Sequence, residues 1–192
     1  TALTGNISLA FHPDDSWKIA TIASTGFHAP NIDDTGKLFY KGSILTIPNF
    51  NLEPEYARTL ELNITKNLNN RLLFNVNTYY TFIEDAIMRV NTNLDFQINQ
   101  DEFFTEAKTN ENTGNAEIYG TTASASLRIA SNYTLETDYT IIKGRNIDND
   151  LPFTHIPPSF GKTAFYADFD SWRASFFIMY NGRKVIEEYD VA

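Results

Sequence analysis

Between Ala57 and Thr65 the chain alternates without a break: Leu60, Leu62 and Ile64 leave one side, Thr59, Glu61, Asn63 and Thr65 the other. Asn67-Leu-Asn-Asn70 supplies a tight polar turn, and a second arm runs from Arg71 to about Ile83. There Leu72, Phe74, Val76, Thr78, Tyr80 and Phe82 form one row, and Arg71, Asn75, Asn77, Tyr79 and Thr81 the other. A period of two means β-strand, because successive side chains leave opposite faces. Ordinary strands run to about five or six residues, whereas these reach the ten or so that a tilted strand needs to cross a bilayer. The polar row carries too much Asn, Thr and Glu for a dry core, and the apolar row is too continuous to face water. Lipid on one side and a wet lumen on the other satisfies both.

The alternation recurs eight times along the chain. Leu3, Ile7, Leu9 and Phe11 form the first apolar row, and Trp17, Ile19 and Ala23 the second, across a turn at His12–Ser16. After the central hairpin come Tyr119, Ala123, Ala125, Leu127 and Ile129, then Tyr133, Leu135, Tyr139 and Ile141. Thr163, Phe165, Ala167 and Phe169 make the seventh row, and Trp172, Ala174, Phe176, Ile178 and Tyr180 the eighth. The fold class that follows is all-β: an antiparallel up-and-down meander of about eight long strands, part of a larger transmembrane β-barrel.

Connection lengths sharpen this. Short turns near Asp14, Asn69, Asn132 and Asp170 alternate with long polar segments at 28–54, 84–115 and 144–158. Compact soluble domains seldom carry several structureless loops above about fifteen residues. Outer-membrane barrels do so as a rule, with short turns on the periplasmic side and long loops outside. Trp17, Tyr133, Phe169 and Trp172 adjoin the short turns, where an aromatic belt is expected.

Composition adds exclusions. The 192 residues contain no run of about eighteen apolar residues, so no transmembrane helix is expected. A mean hydropathy of -0.31 does not oppose a barrel, since only alternate strand residues need be apolar. With Lys and Arg outnumbered 15 to 24 by Asp and Glu, nucleic acid is not an expected partner. Zero cysteines exclude disulfides and thiolate metal sites. No secretory signal pattern opens the chain, and the numbering is expected to start inside a longer protein.

Candidate chemistry is sparse. His12, His28 and His155 lie on three different connections, so no metal centre or cofactor is expected. Asp33-Asp34 and Asp148-Asn149-Asp150 do not have the spacing of a calcium loop. Glu61, Glu136 and Asp138 are carboxylates suited to acid–base work, but on a barrel they line the lumen. No phosphate loop or nucleophile elbow is present, and no catalytic residue or enzymatic activity is expected. Ligand contact falls to two aromatic loop stretches, Leu38-Phe39-Tyr40 and Glu102-Phe103-Phe104, giving Phe39, Tyr40, Phe103 and Phe104 as the candidates for a small-molecule nutrient.

Three phrases carry a family resemblance: Gly26-Phe-His-Ala-Pro-Asn31, Asn51-Leu-Glu-Pro-Glu55 and Gly114-Asn-Ala-Glu-Ile-Tyr-Gly120, in that order. Ile156-Pro-Pro158 before a strand and the Tyr180-Asn-Gly-Arg183 ending are similar too. Together they resemble the C-terminal part of the TonB-dependent outer-membrane receptors, over nearly the whole chain. His28 stands where that family usually has Arg, and Thr122 where a Glu often follows the Gly. The resemblance implies a barrel of 22 strands around an N-terminal plug, in the outer membrane of a Gram-negative bacterium. It also implies outer-membrane lipid as surroundings, and TonB as a partner reached through a plug domain that this chain lacks. The expected role is active uptake of a scarce nutrient: a ferric siderophore first, with cobalamin, haem or a glycan as alternatives. Residues 1–192 then read as a partial barrel without the plug and the final strands. Its outermost strands are expected to pair with something beyond this sequence, or to rearrange. Two rivals remain at this point. One is a complete eight-stranded barrel serving as structural anchor or membrane enzyme; the other is a soluble β-sandwich binding module.

Overall fold

A computed structural model of the chain describes residues 2–41, 43–92, 106–148, 150–153 and 156–184. In chain order the strands are β1 (Gly5–Phe11), β2 (Trp17–His28), β3 (Phe39–Lys41), β4 (Ile44–Ile47), β5 (Glu55–Leu68) and β6 (Leu72–Glu84). They continue with β7 (Ile87–Asn91), β8 (Glu106–Asn112), β9 (Ala116–Ala130), β10 (Tyr133–Asn146), β11 (Phe160–Phe169) and β12 (Trp172–Asn181). One short helix, α1 (Ile32–Thr35), follows β2.

Eight of these strands form a wall in the order β1-β2-β5-β6-β9-β10-β11-β12, each antiparallel to the next. This is the expected meander. The register keeps every apolar row on one face: Ile7 opposes Ala23, Ala23 opposes Leu60, Leu60 opposes Tyr80, and Tyr80 opposes Tyr119. On β5 the apolar side is the exposed one, with Leu60 59% accessible, while Thr59, Glu61 and Asn63 opposite are partly shielded. The wall thus curls towards its polar face. Phe74 is exposed while Asn75 and Asn77 are partly buried, as a lumen-facing polar row requires.

Among the described residues the buried apolar set is four alanines, Ala86, Ala116, Ala164 and Ala167. A β-sandwich would bury the large apolar residues of one face between its sheets; here they lie open. Nor do β1 and β12 pair with each other, so the eight strands form an open sheet and not a closed small barrel.

The short turns are built by local chemistry. Asn69 and Asn70 adopt positive φ values of 51 and 54, the left-handed conformation that Asn tolerates best among non-glycine residues. In the first turn Asp14 accepts the Ser16 N–H at 2.7 Å and also its hydroxyl. Aromatic side chains gather at this end as expected. Lys66 lies over Trp17 at 4.3 Å, Tyr133 packs on Phe165 and Phe169 at 5.7 Å each, and Phe169 stacks on Trp172 at 4.4 Å. A second aromatic row, not anticipated, lies near the loop end on the same outward face: Tyr80 stacks on Tyr119 at 6.5 Å and Tyr139 on Tyr180 at 6.1 Å.

The described parts of the segments 28–54 and 84–115 hold more regular structure than their polar sequences suggest. They carry a second, four-stranded sheet in the order β3-β4-β8-β7, whose β4–β8 pair is parallel. The meander therefore describes the wall alone. These short strands escaped notice because three to seven residues without clean alternation hold no readable period.

Two measurements check this description. Tyr180 lies across Gly161, where a side chain would collide with its ring and with the Asp138 carbonyl. Gly161→Val is expected to destabilise the wall by about 1–3 kcal/mol in denaturant unfolding. Gly5→Val, with open space around it, serves as the control. In the first turn the Ser16 hydroxyl, then its N–H, hold the Asp14 carboxyl below the usual carboxylate range. A depressed folded value means that the turn is supported above the unfolded pKa and released as pH falls through the lower folded one. The Ser16 amide resonance should titrate below the ordinary Asp value, and a midpoint at or above that value would refute the bond.

Candidate functional site: the loop platform and its joint to the wall

The three phrases picked out above come together at one place, the joint between the wall and the four-stranded sheet. The first ends β2 and starts α1. There Asn31 accepts the N–H groups of Asp33 and Asp34 at 2.7 and 3.2 Å, while the Asp34 carboxylate accepts the Asn31 N–H at 2.9 Å. This reciprocal capping box fixes the exit of β2. His28 sits just before it, with Nδ1 2.9 Å from Glu55 Oε2 and Nε2 3.5 Å from Asp34 Oδ2.

Glu55 belongs to the second phrase, and its other carboxylate oxygen accepts the Ile87 N–H at 2.6 Å. One carboxylate thus ties the start of β5 to both β2 and β7. Asn112, at the end of β8, closes the same joint from the other side. It accepts the Glu53 N–H at 2.8 Å and donates to the carbonyls of Glu53 and Asp85 at 2.9 and 2.7 Å.

The third phrase supplies a crossing point. Gly114 has φ 93, a conformation that side chains rarely adopt, and its carbonyl accepts the Ala86 N–H at 2.8 Å. Beside it Asp148 accepts the Asn115 N–H at 2.8 Å, and the fully buried Asn146 donates to the Thr113 hydroxyl at 3.0 Å. Asn110 ties platform to helix, donating to the Asp34 carbonyl at 3.0 Å, and Asn49, just after β4, donates to the Asn110 carbonyl at 2.9 Å.

Above the joint the platform exposes apolar groups. Ile32, Leu38 and Phe50 are each more than 70% accessible, and Lys37 lies 5.6 Å from the centre of the Phe39 ring. Phe39 and Tyr40 are neighbours on β3 and leave opposite faces of it, opposite Thr46 and Leu45 respectively. A ligand lying on one face meets one of them. Phe103 and Phe104 lie outside the described residues. The surface offers ring faces and a nearby ammonium, which suit capture and not bond-making. Glu61, Glu136 and Asp138 stand far below on the polar face of β5 and β10, away from this surface. Among the described residues no group of His, Asp and Glu converges as metal ligands. The joint itself went unseen in the sequence, although the sidechain–backbone habits of Asn and Asp and the odd His28 were available signals.

Comparison with known proteins fits this geometry. A family model described as "TonB dependent receptor-like, beta-barrel" matches residues 1–190. The chain belongs to the TonB-dependent receptors. Several solved members share its fold. The copper transporter OprC matches with TM-score 0.74 at 17% identity, over 91% of this chain and 25% of its own. A variant of the ferric enterobactin receptor PfeA from Pseudomonas aeruginosa matches with TM-score 0.74 at 14% identity, over 93% and 27%. The Serratia marcescens hemophore receptor HasR, solved with its hemophore HasA and heme, matches with TM-score 0.74 at 16% identity, over 92% and 31%. The chain therefore spans between a quarter and a third of the length of these receptors. No curated protein sequence matches it. Members of this family are Gram-negative outer-membrane barrels, and the neighbours are receptors and transporters, not enzymes.

Asn112→Ala removes three hydrogen bonds and should cost the joint of this TonB-dependent receptor segment about 1–3 kcal/mol. Hydrogen exchange at Ile87–Asn91 should then speed up by about tenfold or more while β5 and β6 stay protected. Equal loosening of wall and platform would show that the joint is not a separate unit.

Proposed function

We propose that this chain supplies part of the wall and outer loops of a Gram-negative outer-membrane receptor that actively imports a scarce nutrient, a ferric siderophore before cobalamin, haem or a glycan. The observation that carries the reading is the in-register wall with its apolar face outward and Asn, Thr and carboxylate rows inward, topped by a platform jointed to it. The names of the similar receptors just described specify copper, ferric enterobactin and heme, which favours a chelated metal.

In this reading each part has one job. Lipid holds the outward face, and the polar rows line a wet passage through the membrane. The platform presents Phe39 or Tyr40 to the ligand, and the joint keeps that surface above the passage. The energy for release comes from the inner membrane through TonB, acting on a plug domain supplied by the longer polypeptide.

The test is uptake of radiolabelled ferric siderophores by cells carrying the full-length receptor. One of Phe39→Ala and Tyr40→Ala, whichever removes the ring on the ligand's face, should weaken ligand binding about three- to tenfold, the size of one lost aromatic contact, while receptor abundance is unchanged. Uptake that is absent for every chelate, or that persists without TonB, would refute the reading. Wild-type binding by both variants would remove these two residues from the site.

A further inference from the structure

Five threonines in the middle of the outward face keep their hydroxyls inside the wall. Thr21 donates to the Glu61 carbonyl at 3.1 Å. Thr121 donates to the Thr78 hydroxyl at 3.0 Å, and Thr78 in turn to the Gly120 carbonyl at 3.1 Å. Thr137 and Thr163 share a bond at 3.0 Å. Water would satisfy such groups unaided. Hydrocarbon offers no partner, so a hydroxyl that faces it has to be satisfied by the wall itself.

The aromatic residues on this face show where the hydrocarbon ends. On the loop side they come in three pairs: Phe27 opposes Tyr56, Tyr80 stacks on Tyr119, and Tyr139 stacks on Tyr180. The pairs are not level in the register. Glu84, opposite Tyr56, lies four residues beyond Tyr80, and Lys143, opposite Tyr119, lies four residues beyond Tyr139. The lower row descends in the same sense. Trp17 is level with Lys66, Phe74, Ala125 and Thr137. Tyr133 stands four residues nearer the turns than Thr137, and Phe169 two beyond the partner of Tyr133.

Two rows that fall together are the edges of one band crossed by tilted strands. A rise of about 3.3 Å per residue and a strand spacing of about 4.8 Å give a tilt of about 40–50°. Ten residues separate Tyr56 from Lys66. At this tilt their roughly 33 Å of strand spans about 21–25 Å of height, close to the apolar band of about 25 Å that outer-membrane barrels carry.

The outward charges respect these edges. Arg58, just inside Tyr56, turns its guanidinium up to Glu84 at 2.8 Å. Glu117 and Arg145, paired at 2.8 Å, stand beyond Tyr119 and Tyr139. Lys66 lies on the lower row, over Trp17. Among the described residues no other charge faces outward between the rows.

We propose that the outer edge of the hydrocarbon crosses the register obliquely, along Phe27–Tyr56, Tyr80–Tyr119 and Tyr139–Tyr180, and so brings lipid headgroups up against the joint. The proposal rests on the outer-membrane reading given above. His28 directly follows Phe27 and Glu55 directly precedes Tyr56, so this pair sits at headgroup level. On the other side Asn146 lies seven residues beyond Tyr139, about 23 Å of strand, and the end of β10 stands clear of the bilayer. The platform is thus seated on the membrane surface at β2 and β5.

The experiment places one nitroxide at a time on the full-length receptor in phosphatidylcholine vesicles, through single cysteines in a background without others. Collisions with oxygen, which partitions into hydrocarbon, are compared with collisions with a water-soluble nickel chelate. Leu60 and Lys143 share one register row, and Lys66 and Thr137 another. Labels at Leu60→Cys and Thr137→Cys should meet oxygen more than nickel, and those at Lys143→Cys and Lys66→Cys nickel more than oxygen. Ala123→Cys, between the two aromatic rows, should behave as Leu60→Cys does. Folding is checked by heat-modifiable migration. Either register row alone decides, and Glu117→Cys replaces Lys143→Cys if that variant does not fold. Members of a row that read alike, or in the reverse order, overturn the oblique edge alone. A label at Ala123 that meets nickel more than oxygen refutes instead the lipid-covered face on which the receptor reading stands.

Discussion

The structure depends on register. A side-chain row keeps its face only while neighbouring strands stay aligned, and a slip of one residue would turn every leucine of a strand from outside to inside. Here the alignment runs from β1 to β12 with one irregularity, at Tyr133/Thr134, beside the turn that joins β9 to β10. A shift there changes the turn and leaves the faces above it intact. Where the ladder runs, the backbone groups of the wall are satisfied by neighbouring strands, the condition a bilayer imposes on any spanning structure.

The wall was legible because its signal is local and repeated. Leu60, Leu62 and Ile64 announce their face within five residues, and the short turns announce which strands are neighbours. The platform sends no such signal. Its parallel pair brings Ile44–Ile47 beside Glu106–Thr109, segments far apart in sequence, and β3 has only three residues. Nothing in Phe39-Tyr40-Lys41 distinguishes an edge strand from an exposed loop, and adjacent positions turned out to face opposite ways. The candidate site was accordingly read as a pair of aromatic stretches; of the first, Phe39 and Tyr40 face opposite ways.

The joint falls between these cases. Its three phrases were visible as a resemblance, but their physical reason appears only in three dimensions. Gly114 is there because the chain must turn through φ 93 while passing Asp148, where a side chain would collide with the carboxylate. Glu55 is there because one carboxylate can hold both His28 and the Ile87 amide. Asn31 is there to cap a single helical turn too short to persist alone. Each residue satisfies polar groups at the seam where regular pairing ends, so their identity is constrained although none is placed to bind a ligand.

This division explains how a wall can match OprC or PfeA with TM-score 0.74 at 17% or 14% identity. Lipid and water ask of a wall residue only that it be apolar or polar, and many sequences answer. Seam residues have a narrower choice, because a capping box, a left-handed glycine and a bidentate carboxylate each admit few substitutes. Platform side chains such as those of Phe39, Tyr40 and Phe50 answer to neither constraint, since they are exposed. They can change without disturbing register or seam. A platform carried on a regular wall by side-chain hydrogen bonds is thus free to change its surface chemistry while the wall keeps its form.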